Sequence, residues 1–289
     1  MPYAPGGGTD ILARLVSERL GPRLAQTILV DNRPGAGGTV AAGMVAKSAP
    51  DGYTLLLADM GPNAIAPGLY PNLPYDAAKD FAPITQAVRV PLLVVASPSK
   101  PFSTLSEFIA FARGNPGKAT FGSAGNGNIG HLAGELLKMQ MRLDMTHVPY
   151  KGAPPLLTDT ARGEPDVAFT SHASSNGLVG AGRLKVLGVA GQVRPAIPGG
   201  LQTMGEAGVK DFEASTWFGF AAPAGTPRPI VERLHGDIVG VLGLAEVRDR
   251  MSVLGMEIVG STPEAFATHI QREIAQWGEV VRRAGAKPD

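Results

Sequence analysis

Short apolar runs alternate with helix-period segments along this chain, and glycine- or proline-rich loops separate them. The runs at 27–30, 53–58, 84–88, 92–96, 120–123, 167–170 and 184–189 have the length of buried strands. Ile11, Leu12, Leu15, Arg19 and Leu20 place an apolar stripe on a first helix. Leu105, Phe108, Ile109 and Ala112 do so on another, with Ser103 or Ser106 as its N-cap. Helices are also expected at 131–141 and 154–162. From Pro227 onward the pattern is almost all helical. Pro227 and Pro229 open one helix, a second spans 245–254, and Thr262-Pro263-Glu264 starts a third that Gly285 ends. Strand and helix in alternation predict an α/β protein in which each lobe is a mostly parallel sheet flanked by helices.

Two crossings suggest how that architecture is divided. Ser97-Pro98-Ser99-Lys100-Pro101 is a rigid polar segment after a strand, and residues 217–227 run from an apolar strand into a Gly/Pro turn. A chain that leaves one lobe at the first and returns at the second gives a discontinuous lobe, 1–98 with 222–289, and an inserted lobe, 99–221. Two crossings would form a hinge with a cleft between the lobes. Gly (38) and Pro (25) exceed a fifth of the 289 residues. With 44% hydrophobic residues, the chain buries too much for disorder, so these residues serve ordered loops.

Composition excludes several functions. Lys plus Arg (26) balances Asp plus Glu (25), so nucleic acid finds no basic face. There is no Cys, hence no disulfide framework and no thiolate chemistry. No apolar stretch approaches the roughly 20 residues of a membrane span, and Met1-Pro2-Tyr3 does not read as a signal peptide. The five histidines, 131, 147, 172, 235 and 269, contain no i,i+4 pair, and neither H-E-x-x-H nor G-x-S-x-G occurs. No metal or cofactor is expected. His235 and His269 are expected at the surface, and Trp217 and Trp277 as packing anchors. Ser123 or Ser171 could meet His131 or His172 as nucleophile and base, but the sequence supplies no orienting acid.

Two loops are built for backbone donors. Pro5-Gly6-Gly7-Gly8-Thr9-Asp10 precedes the first helix, where an anion site and a plain capped helix are both open readings. Thr9 can cap that helix, and Asp10 suits its positive end. Ser123-Ala124-Gly125-Asn126-Gly127-Asn128-Ile129-Gly130-His131 joins a strand to a helix, and Gly125, Gly127 and Gly130 match G-x-G-x-x-G. The dinucleotide reading also needs an acid ending the next strand. The nearest acid, Asp144, precedes that strand, so this reading fails. Thr170-Ser171-His172 and Asp59-Met60-Gly61 are two further polar strand ends, where α/β proteins bind ligands.

Several segments then carry a resemblance in order: Pro5 to Arg14, Asp31-Asn32-Arg33-Pro34-Gly35, Ala49-Pro50-Asp51-Gly52-Tyr53, Lys79-Asp80-Phe81-Ala82-Pro83, His131-Leu132-Ala133-Gly134-Glu135, His147-Val148-Pro149-Tyr150-Lys151-Gly152, Trp217-Phe218-Gly219 and Pro223-Ala224-Gly225-Thr226-Pro227. The chain resembles the solute-binding receptors of tripartite tricarboxylate transporters, the Bug family. The resemblance implies a periplasmic, monomeric, two-lobed Venus-flytrap protein that is not an enzyme. It would capture a small carboxylate and deliver it to membrane permease subunits. It implies near-lobe contacts from Tyr3, Gly7, Gly8, Thr9 and Asp10, with Asp10 bracing the loop. Far-lobe contacts would come from Ser123, Ala124, Gly125, Asn126 and His131, with Thr170 and Ser171 beside them.

Three departures stand against the family pattern. Family members carry an apolar strand of about five or six residues before the first Pro-Gly loop, and a signal peptide before that; here Met1-Pro2-Tyr3-Ala4 precede it, so a shortened start is expected. Asp59 replaces a small residue. It would repel a second carboxylate, accept from a ligand amine or hydroxyl, or cap the helix near Asn63. Pro198-Gly199-Gly200 replaces the usual Pro-Asp-Val-Pro-Thr turn. An enzyme on the same scaffold and a ligand sensor are the alternative functions.

Overall fold

The computed structural model describes residues 1–3, 5–195 and 200–287. Ala4, Pro198 and Gly199 of the two departing segments lie outside the described residues. In chain order the elements are α1 (Gly8–Leu24), α2 (Thr39–Ala46), β1 (Leu56–Asp59), α3 (Ala66–Leu69), β2 (Phe81–Ala96), α4 (Leu105–Gly114) and β3 (Ala119–Ser123). There follow α5 (Ile129–Met141), β4 (Met145–Pro149), α6 (Ala153–Arg162), β5 (Val167–Ser171), α7 (His172–Gly180) and β6 (Lys185–Val189). The chain closes with β7 (Ser215–Pro223), α8 (Arg228–Leu242), α9 (Ala245–Val253), β8 (Glu257–Ile258) and α10 (Pro263–Ala284).

These elements form two compact units, Met1–Arg89 with Trp217–Arg282, and Val90–Thr216 with the last residues from Arg283. The chain passes between units inside β2 and inside β7, whereas composition drew the boundaries at the proline-rich ends of those strands.

In the first unit β1 lies antiparallel to β7, Leu56 opposite Ala221 and Asp59 opposite Phe218. β7 neighbours β2, and β8 pairs antiparallel with β2 at Val88 and Arg89. Trp217, fully buried, meets Phe266 edge-on with ring centroids 5.3 Å apart. Trp277 is equally buried and donates its indole N–H to Glu273 at 2.8 Å. Both tryptophans are therefore packing anchors. Thr262 caps α10, its Oγ1 accepting from Ala265 N at 3.2 Å.

In the second unit the later half of β2 runs between β5 and β6, antiparallel to both. β3 pairs parallel with β4 and with β5. The core there gathers Leu93, Val95, Leu156, Leu157, Ala168, Leu184 and Val189. α4 is capped by Thr104, which accepts from Glu107 N at 3.2 Å, and not by Ser103 or Ser106.

Three sequence expectations are corrected. The sheets are mixed: β2 enters the second unit against the direction of β5 and β6, and loop punctuation carries no record of strand direction. The runs 84–88 and 92–96 are one strand. Pro91, with no N–H to give, sits where β2 changes partners from β8 to β5 and β6. The 27–30 segment forms no ladder within the described residues, and Leu29 is 85% exposed.

Candidate functional site

In the first unit the glycine loop runs directly into α1. Gly6 sits at φ +93°, a conformation an L side chain would strain. Gly7 is the N-cap, and no side chain caps the helix. The expected Thr9 cap is therefore absent, because the helix starts at Gly8 and Thr9 lies buried in its first turn. The first intrahelical bond joins Ile11 N–H to Gly7 O at 3.0 Å. The amides of Gly8 and Thr9 thus have no acceptor within the helix.

Asp10 holds this loop in place. Its Oδ2 accepts from Gly6 N at 3.0 Å and from Arg14 Nε at 2.9 Å. Its Oδ1 accepts from Asn32 Nδ2 at 3.0 Å, and the same amide donates to Tyr3 O at 3.0 Å. The Arg14 hydrogen bond, helped by those from Asn32 and Gly6, outweighs burial and brings the carboxyl down to about 2. Asp10 is a saturated brace of the loop.

Asp59 ends β1 close to Tyr3. The Tyr3 hydroxyl donates to Asp59 Oδ1 at 2.6 Å, and Gly61 N donates to the same oxygen at 2.7 Å. In return Asp59 N donates to Asn63 Oδ1 at 3.2 Å. Asp59 thereby holds the first amide of the π-helical turn Gly61–Ile65, whose N-cap is Met60 with no side-chain cap bond, so the cap considered from sequence is not formed. Its Oδ2 accepts no hydrogen bond among the described residues. Burial pushes this carboxyl up to about 6, against the pull of the Tyr3 and Gly61 bonds. Burial also pushes the Tyr3 phenol well up, and the Asp59 charge adds to it.

In the second unit β3, β4 and β5 end on one edge, and α5 starts there. Ser123 is fully buried. Its hydroxyl donates to Gly125 O at 2.9 Å and lies 2.7 Å from His147 Nε2. Gly125 N donates back to it at 3.3 Å. The three contacts are mutually consistent when His147 carries its proton on Nε2. Ser123 then gives its proton to a carbonyl, and His147 is no base toward it. Gly127, at φ +70°, donates its N–H to His131 Nδ1 at 3.0 Å. The His131 and His147 rings stack with centroids 3.9 Å apart, and Phe121 stacks on His147 at 5.0 Å. Asn128 caps α5 by accepting from His131 N at 3.0 Å. The amides of Ile129 and Gly130 remain as first-turn donors.

The other expected residues flank this loop. Asn126 is exposed at its tip, and Ala124 O accepts from Gly152 N at 3.1 Å. Thr170 is buried at the end of β5, and Ser171 caps α7 by accepting from Ser174 N at 3.3 Å. Burial lowers the His172 imidazole, but no hydrogen bond joins His172 to Ser123 or Ser171. His269, expected at the surface, is half-buried. Its ring packs on Trp217 at 5.5 Å, and its Nε2 is buried without a partner. The brace residues Arg14 and Asn32 and the Ser123 partner His147 escaped sequence reading. Their usable signals were Asn32 beside Pro34 and a histidine in the strand that follows the second loop.

A family model described as the tripartite tricarboxylate transporter family receptor matches residues 12–286. The chain belongs to this family. BugT of Bordetella pertussis is 34% identical over 292 residues, which cover 99% of this chain and 88% of BugT. Among solved structures, Rpa4515 of R. palustris with adipate is 36% identical with a TM-score of 0.83, covering 100% of this chain and 96% of that one. MatC of Rhodopseudomonas palustris with bound malate is 33% identical with a TM-score of 0.79, covering 97% and 96%. The family is one of solute-binding receptors, not enzymes, and the chain is a periplasmic receptor of this kind.

Proposed function

We propose that this receptor takes its carboxylate on backbone donors from both loops and passes it, as a monomer, to the membrane subunits of a tripartite transporter. The donors in the first unit are the amides at Gly7, Gly8 and Thr9, with Tyr3 and Asp59 beside them. In the second unit they are the first-turn amides of Ile129 and Gly130, flanked by Ser123, Ala124, Gly125, Asn126, His131, Thr170 and Ser171. The observation that carries this reading is common to both loops. Polar side chains (Asp10 in one, Ser123 with His131 in the other) engage the loop from within, while first-turn helix amides stay unengaged. Helix N-termini of this form favour anions without a cationic side chain.

Adipate and malate, bound by the two relatives, make dicarboxylates of four to six carbons the first ligands to test. Asp59 favours the members of that class that carry a hydroxyl or an ammonium group, because its free Oδ2 accepts and its charge repels. Calorimetric titration with malate, adipate, aspartate and glutamate tests the proposal. Saturable binding that weakens at least tenfold in the Ile129→Pro variant, which removes one unengaged first-turn donor at a position where a helix accepts proline, is the expected result. An absence of binding across mono-, di- and tricarboxylates would overturn it.

A further inference from the structure

β1 packs on the π-helical turn and on α2, and pairs with β7. None of these three neighbours carries an Asp, Glu, Lys, Arg or His. Asp59, at the end of β1 and 5% exposed, is thus a single ionisable carboxyl in an uncharged wall. The other titratable groups around it are tyrosines. Tyr3 donates to it, the Tyr75 hydroxyl donates to Pro62 O at 2.7 Å, and Tyr70 lies beside Gly37. Burial pushes the Tyr3 and Tyr75 phenols up, so both keep their protons. The Met1 ammonium is turned to Asp31 O, and Asp10 and Arg14 of α1 are paired with each other.

Hydrogen bonds join this carboxyl to the first glycine loop. The Tyr3 hydroxyl holds Asp59 Oδ1, and Tyr3 O accepts from Asn32. The same Asn32 amide holds Asp10, the brace of Gly6. Both donors to Asp59 fall on Oδ1, so Oδ2 is the oxygen left for a proton or a ligand. An ionised Oδ2 accepts from an ammonium and repels a carboxylate. A protonated Oδ2 donates to a carboxylate and has no charge to offer an ammonium. Burial, which pushes this carboxyl up to about 6, brings both states within reach near neutral pH.

We propose that Asp59 sorts ligands by the proton it carries. An amino dicarboxylate is captured with Asp59 ionised and with no change of proton. The same skeleton without its amine is captured with Asp59 protonated, and capture draws one proton from solvent onto Oδ2. This rests on the carboxylate reading above and adds to it the ligand class taken at each pH.

Aspartate against succinate, and glutamate against glutarate, are matched pairs for the test. Calorimetric titration of the full chain in phosphate and in Tris, whose ionisation heats differ, counts the protons taken up. At pH 7 succinate and glutarate should take up about one proton, and the amino acids almost none. From pH 7 to 8 the ligand carboxyls stay ionised. Over that unit succinate and glutarate should weaken about tenfold, and the amino acids less than about twofold. Asp59→Asn should bind succinate with no proton uptake and no pH slope. The same variant should weaken aspartate by about tenfold or more. If that variant is not recovered folded, the proton count and pH slope of the parent chain decide alone. Equal proton counts within each pair, or an uptake by succinate that persists in Asp59→Asn, would overturn the sorting and leave the carboxylate site standing. Absence of binding by all four ligands would remove the site and the sorting together.

Discussion

Asp59 and Asp10 are acidic, buried and unlike in effect, because their neighbours differ. Asp10 meets a guanidinium and two further donors on two oxygens, so folding favours its charge. Asp59 meets two neutral donors on one oxygen, and burial outweighs them. Asp59→Asn keeps an acceptor for Tyr3 and Gly61 while removing the buried charge. At pH 8 it should stabilise the first unit by about 2–3 kcal/mol, the free-energy equivalent of the upward shift. Asp59→Ala removes the same charge but strands two buried donors, at about 1–3 kcal/mol each, so it should not share the gain. Thermal melts of the two variants check this, and equal melting temperatures would show that the Tyr3 and Gly61 bonds do not matter. Asn32→Ala should loosen the loop through Tyr3 and Asp10 together, lowering ligand affinity severalfold in the same calorimetric assay. Sequence alone located Asp10 and Asp59, since each lies beside a glycine loop or at a strand end. It could not supply Asn32 or His147, which stand 22 and 24 residues from the groups they hold and whose side chains have many other ordinary uses.

At the scale of elements, helix ends were legible where residue type decides them locally, as with the Thr262 cap and the left-handed Gly285 of α10. They were misread where backbone geometry decides instead, as at Gly7 on α1. Strand direction was not legible at all, because pairing partners such as β2 and β5 are far apart in sequence. Packing between elements leaves sharper demands. In α5, Gly134 lies against the Phe121 ring of β3; a Cβ there would fall 2.1 Å from Phe121 Cε2, closer than atoms can approach. Gly134→Ala should therefore cost about 1–3 kcal/mol or more. It should also lower ligand affinity, because Phe121 supports the stacked His147 and His131 under the donor loop. Gly236→Ala on α8 is the matched comparison, since its Cβ would meet nothing within 4 Å. That change should stabilise by roughly 0.5–1 kcal/mol and leave affinity alone. Equal losses of affinity in both variants would separate the Phe121 stack from ligand binding.

At the scale of the whole molecule, acid response is a balance between groups of opposite sign. Burial, with Arg272 and Arg89 nearby, lowers the His269 imidazole to about 4. The unfolded chain then binds more protons there, so the His269 contribution is full above about pH 6.5 and fades as pH falls toward 4. Asp59 works the other way. With its carboxyl at about 6 in the fold, its contribution is full below about pH 4 and is lost as pH rises through 6. Between pH 4 and 6 the two slopes oppose each other. Below pH 4 the Asp10 contribution is lost as well, and that of Asp76 weakens in the same sense, because bonds from Lys79 and Ala78 hold its carboxyl down. Removing one side of the balance should expose the other. Relative to the parent chain, Asp59→Asn should gain a stability slope that rises with pH across 4 to 6, by up to about 1.4 kcal/mol per pH unit. His269→Gln should gain a slope that falls with pH over the same interval. Denaturant unfolding at half-unit pH steps measures both. Parallel profiles for the two variants would mean that neither group titrates differently in the folded and unfolded chain, and the opposition between them would be excluded.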